Sequence, residues 1–117
     1  MSCLFDSLSP FVGKSSELLR QEVCDYIDSG VSIFDDTSND DMIAWLANIS
    51  KSNYISSMRR TSTWGGALEI KAFCDMYKKN VRIQSLPNNR DIECLGRGAD
   101  PKDWITVAWS GGHYSMV

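Results

Sequence analysis

The chain is poor in several things, and each shortage excludes something. It carries a single histidine and three prolines in 117 residues. One histidine cannot build an H-x₃-H pair, and no C-x₂-C pair exists either, so a zinc site is not expected. No apolar run approaches the roughly 18–20 residues that a membrane span needs. No basic stripe runs along any segment, and 12 Lys and Arg stand against 15 Asp and Glu. Nucleic acid is therefore not an expected partner. There is no internal repeat, no low-complexity tract and no linker. What remains is 43% hydrophobic, with four Trp, enough for a buried core in one domain spanning residues 1–117.

The four cysteines are Cys3, Cys24, Cys74 and Cys94. An even count could mean two disulfides. Their spacings are wide, two lie on apolar helical faces, and no opening segment reads as a secretory signal. They are expected as thiols in a reducing compartment, the cytoplasm.

Two periodicities divide the sequence. The front half is helical. Cys3 to Leu8 begins it, and Ser9-Pro10-Phe11-Val12-Gly13 closes that first helix. Ser15 caps a second helix whose apolar side carries Leu19, Val23 and Ile27, with Leu18 beside them, and Gly30 stops it. Met42, Ile43, Trp45, Leu46 and Ile49 predict a third helix, and Tyr54, Ile55 and Met58 a shorter one. Ala67 to Tyr77 is apolar on several sides, the mark of a central helix. From residue 80 the pattern alternates. Val81 to Leu86, Asp91 to Leu95, Trp104 to Trp109 and His113 to Val117 read as strands. Helices followed by strands predict an α+β fold, with helices packed on a small, mostly antiparallel sheet.

Two chemical features stand out. Cys3 lies at the start of a helix-capable stretch, where unpaired backbone N–H groups favour a thiolate, the form that attacks carbonyls. The one histidine, His113, lies near the opposite end of the chain. A fold that joined the two ends would build a Cys–His pair. Asp35, Asp36, Asp40 and Asp41 also cluster. They read either as a solvated loop leading into a helix N-terminus, or as an acidic rim that attracts a basic partner.

Three segments together resemble one family. Cys3-Leu4-Phe5-Asp6-Ser7-Leu8 resembles the nucleophile segment of the ovarian tumour (OTU) cysteine proteases. Tyr54 through Met58 to Trp64-Gly65-Gly66-Ala67-Leu68-Glu69-Ile70 resembles their Y-x₃-M … W-G-G-x-x-E-[LI] segment. Trp104 to Trp109, then Gly112-His113-Tyr114, resembles their closing strand and H-Y pair. The segments occur in the family's order and span the chain, and the middle one is the most specific.

The resemblance implies a papain-like thiol hydrolase, a deubiquitinase that cleaves after the C-terminal Gly-Gly of ubiquitin or a ubiquitin-like modifier. It implies Cys3 as nucleophile, His113 as general base and then acid, and the backbone N–H groups of Ser2 and Cys3 as oxyanion donors. It assigns Trp64-Gly65-Gly66 to a corner beside the site, where a missing side chain lets another backbone approach. Trp109 and Trp64 are expected on the substrate side, and Asp35 and Asp36 opposite the arginines of the ubiquitin tail. No cofactor or metal is called for, and a monomer is expected.

Two departures from the family pattern concern the third catalytic member; in some members it is an Asp three residues before the cysteine, a position that would fall before Met1 here. The third catalytic member is often Asp or Asn two residues after the histidine, and here that position is Ser115. Its hydroxyl can accept a hydrogen bond from the imidazole but carries no charge. A weakly supported triad or a working dyad is expected. Asp6 is expected to point elsewhere. The start of the chain suggests a domain cut from a longer precursor, of which short, self-processing viral members are examples; the location would then be the host cytoplasm. The rival reading is a ubiquitin-binding module of the same fold with little or no activity.

Overall fold

The computed structural model describes residues 3–31, 33, 38–60, 65–85, 90–110 and 113–116, with the backbone alone at 45–47 and 116. Helix α1 (Cys3–Leu8) runs into a 3-10 turn at Ser9–Phe11. Helices α2 (Ser16–Asp28), α3 (Asn39–Ala47), α4 (Lys51–Met58) and α5 (Ala67–Tyr77) follow, then strands β1 (Asn80–Ser85), β2 (Arg90–Cys94), β3 (Trp104–Trp109) and β4 (Tyr114–Met116).

Serine hydroxyls start three of the helices. Ser15 Oγ accepts from Leu18 N, Ser38 Oγ from Asp41 N and Ser50 Oγ from Asn53 N, each satisfying an amide that the helix itself cannot. In α2, Leu19, Val23 and Ile27 are fully buried. Leu18 is not beside them: it is 48% exposed, since neighbouring helix positions point about 100° apart. Asp40 and Asp41 occupy the first turn of α3, where carboxylates offset the helix dipole. That helix ends earlier than its apolar pattern suggests. Asn48 turns left-handed at φ 58, and Ile49 lies beyond it, exposed.

The sheet has the order β2-β1-β3-β4. The β1–β2 and β3–β4 pairs are antiparallel, and the central β1–β3 pair is parallel. Val81 and Ile83 of β1 and Ile105 and Val107 of β3 turn inward. They meet Leu68, Ile70, Ala72 and Phe73 of α5 in one core that also takes in Leu4, Phe5 and Leu8 of α1.

The parallel pairing depends on a long return segment, and Asn80 fastens it. The Asn80 side chain accepts from Gly96 N at 3.0 Å and donates to Asp100 O at 2.9 Å, while its amide donates to Asp103 O at 3.0 Å. Gly96 must be glycine for this packing, because a Cβ there would lie 2.5 Å from the Cys74 carbonyl oxygen. Strand β3 falls on the expected Trp104–Trp109, while β1 and β2 each begin one residue earlier than expected; the expected ends Leu86 and Val117 lie outside the described residues. Leu95 lies past the end of β2, 61% exposed, and His113 sits just before β4.

Candidate active site

Strand β4 lies beside α1, so the two chain ends meet there. The turn into β4 is closed by Ser110 N donating to His113 O at 2.9 Å. The register Trp109↔Tyr114 and Ala108↔Ser115 then fixes where each β4 residue falls. A cavity of about 320 Å³ opens between the two elements. Cys3, Asp6 and Ser7 line it from α1, and His113, Tyr114 and Ser115 from the other side. The structure thus brings together Cys3, His113 and Ser115.

It also brings Asp6, which was expected to point away. Positions i, i+3 and i+4 share one helix face, so Cys3, Asp6 and Ser7 must project together. Ser7 is buried, and its hydroxyl donates to the Cys3 carbonyl at 2.7 Å. Asp6 is exposed, and its Oδ1 accepts from the Ser16 hydroxyl at the start of α2.

The four thiols are free and differ in surroundings. Burial pushes Cys24 up to about 11 and Cys74 up to about 12, which keeps both protonated at neutral pH. Burial also raises Cys94. Cys3 is half-buried and alone among them in opening onto a cavity shared with an imidazole. Tyr114 next to it is raised, mainly by burial and then by the Cys3 thiol.

Beneath α1 lies a charged floor. Arg20 of α2 is fully buried, its Nη1 donates to Met58 O at 2.7 Å, and its guanidinium lies 4.5 Å from the centre of the Phe5 ring. Glu69 of α5 is buried too, accepting from Gly66 N at 2.7 Å and from the Tyr54 hydroxyl at 2.5 Å. Desolvation raises its pKa, against the pull of those two hydrogen bonds. Gly65 leaves room for α1: a Cβ there would stand 2.6 Å from Leu4 Cδ2 and 3.2 Å from the Phe5 ring. The approach that Gly65 permits is therefore by side chains of the nucleophile helix, not by another backbone. Gly66 has no such constraint, and serves α5 as its N-cap.

Trp109 does not line the thiol cavity. It lines a second one of about 320 Å³ between α5 and the sheet, with Ile70, Ile83, Ser85 and Ile92, and Tyr114 belongs to both. Ser2, Asp35, Asp36 and Trp64 lie outside the described residues. Arg20 escaped the sequence reading. Its spacing of three and four from Val23 and Cys24 was the available signal, since those residues face the core.

A thiol at a helix start and an imidazole just before a strand, lining one cavity, are the equipment of a cysteine protease. The chain belongs to the OTU-like cysteine protease family, whose family model matches residues 2–111. No curated protein matches the sequence. Among solved structures, the fold is similar to an ovarian tumour domain in complex with ubiquitin (TM-score 0.76, 19% identity, 98% of this chain). It is also similar to the Hazara virus OTU bound to ubiquitin (0.71, 20%, 98%) and to an OTU deubiquitinase from Wolbachia pipientis wMel bound to ubiquitin (0.64, 19%, 98%). The chain spans 62%, 73% and 88% of those three chains respectively.

Proposed function

We propose that the protein is a deubiquitinase that cleaves the bond after the C-terminal Gly-Gly of ubiquitin or a ubiquitin-like modifier. The observation that carries this reading is the single cavity lined by both Cys3 and His113 in a chain of this family. His113 takes the proton of Cys3, and the thiolate attacks the glycine carbonyl. In this reading the backbone N–H groups of Ser2 and Cys3 are the donors that stabilise the oxyanion. The imidazolium then protonates the departing lysine amine, leaving a thioester on Cys3 Sγ. Water, deprotonated by His113, attacks that thioester and restores the thiol.

The apolar cavity at Trp109 adjoins the thiol cavity through Tyr114 and suits the chain leading to the glycines. The rival reading, a ubiquitin-binding module without turnover, draws on Ser115, which has no charge to offer the imidazolium. Release of a fluorophore from a ubiquitin C-terminal amide separates the two. Release that disappears in Cys3→Ala supports the protease. Ubiquitin binding with no release by the wild-type protein supports the module.

A further inference from the structure

We propose that Asp6 is the positioning residue whose carboxylate supports the His113 imidazolium, in place of a carboxylate on β4. This rests on the Cys3–His113 reading above. Moving a proton from Cys3 Sγ to the His113 ring creates a thiolate and an imidazolium in the same cavity. The thiolate is balanced by the imidazolium, and it leaves when the acyl bond forms. The imidazolium then needs another anion until it gives its proton to the leaving amine.

The titratable groups lining the cavity among the described residues are Cys3 and Asp6 from α1, and His113 and Tyr114 from the β4 side. Arg20 lies below α1, stacked on Phe5, and does not line the cavity. Asp6 is thus the one carboxylate lining the cavity among the described residues. It stands one helical turn from the nucleophile, on the same face. The Ser16 hydroxyl donates to its Oδ1, which restrains the group and leaves its second oxygen without a hydrogen bond to α2 in this pairing. Ser115 lines the opposite wall and contributes a neutral hydroxyl.

The test uses the full chain and a fluorogenic ubiquitin C-terminal amide. Variants are Asp6→Asn, Asp6→Glu, and Asp6→Asn combined with Ser115→Asp. Ubiquitin affinity is measured separately in Cys3→Ala and in Cys3→Ala with Asp6→Asn. Asp6→Asn is expected to lower kcat about tenfold, with KM and ubiquitin affinity within about twofold of wild type. Asp6→Glu should keep most of the activity. Ser115→Asp should return the Asn variant to within about threefold of wild type, since it restores a negative charge from the other wall. An unchanged kcat in Asp6→Asn overturns the proposal. So does a raised KM at constant kcat, which would make Asp6 a substrate contact. A deficit that Ser115→Asp fails to recover also overturns it. If the wild-type protein itself releases no fluorophore, the protease reading has failed, and the role of Asp6 goes with it.

Discussion

The Arg20 guanidinium lies 4.5 Å from the centre of the Phe5 ring, two residues from the cysteine that opens α1. A fully buried cation is costly unless its surroundings offset it. Here they include the Met58 carbonyl and the Phe5 ring. Arg20→Met should therefore destabilise the protein, by about 1–3 kcal/mol, because it leaves the buried Met58 carbonyl without its donor. Urea unfolding measures this. A loss below about 0.5 kcal/mol would mean that the floor beneath α1 does not depend on the guanidinium.

Gly65→Ala should harm turnover more than stability. Its methyl group would meet Leu4 Cδ2 at 2.6 Å, and α1 must shift to admit it. Overpacking of this kind costs about 1–3 kcal/mol. Because Leu4 adjoins Cys3, the shift moves the thiol relative to His113. A several-fold fall in kcat with a still-folded protein is expected from fluorogenic assay and circular dichroism together. Gly66→Ala meets only Glu69 Oε1 at 3.8 Å and should cost far less activity.

Glu69 gives the stability a pH dependence with a definite sign. Desolvation raises its pKa in the folded protein. A raised carboxyl favours the fold when protonated, so its contribution is complete below about pH 4.5, the unfolded value, and is lost as pH rises through the folded value. Glu69→Gln cannot ionise. The stability of Glu69→Gln relative to wild type should therefore improve from pH 4 toward neutrality. Melting curves across that range check it, and a constant difference would contradict the assignment.

The middle motif was legible as a family signature, but its physical role was not. Its letters named Tyr54, Met58, Gly65, Gly66 and Glu69 without saying what they touch. In the folded chain they build the floor and the slot under the nucleophile helix. The helices and strands were readable because their periods are strong: Ala67–Tyr77 and Trp104–Trp109 fall where the pattern puts them. Ends were harder, since Asn48 and Leu95 stop their elements through backbone geometry and sheet register rather than through polarity. The side on which Asp6 falls is hard to read from the sequence because a short helix gives little period. Its i+3 spacing from Cys3 was nevertheless in plain sight.

The cysteines should differ sharply in alkylation of the native protein. Cys24 at about 11 and Cys74 at about 12 are buried and protonated at neutral pH. Mass spectrometry after brief iodoacetamide treatment should find Cys3 modified first, and Cys24 and Cys74 only after denaturation. Early modification of Cys24 or Cys74 would show that the core opens far more readily than its packing implies.

The most direct measurement is the rate at which a ubiquitin bearing a C-terminal electrophile labels Cys3, in the wild-type protein and in His113→Ala. Rapid, stoichiometric labelling of Cys3 that slows at least about a hundredfold in His113→Ala is the predicted result. Equal rates in the two proteins, or labelling of another cysteine, would contradict a nucleophile and base working across one cavity.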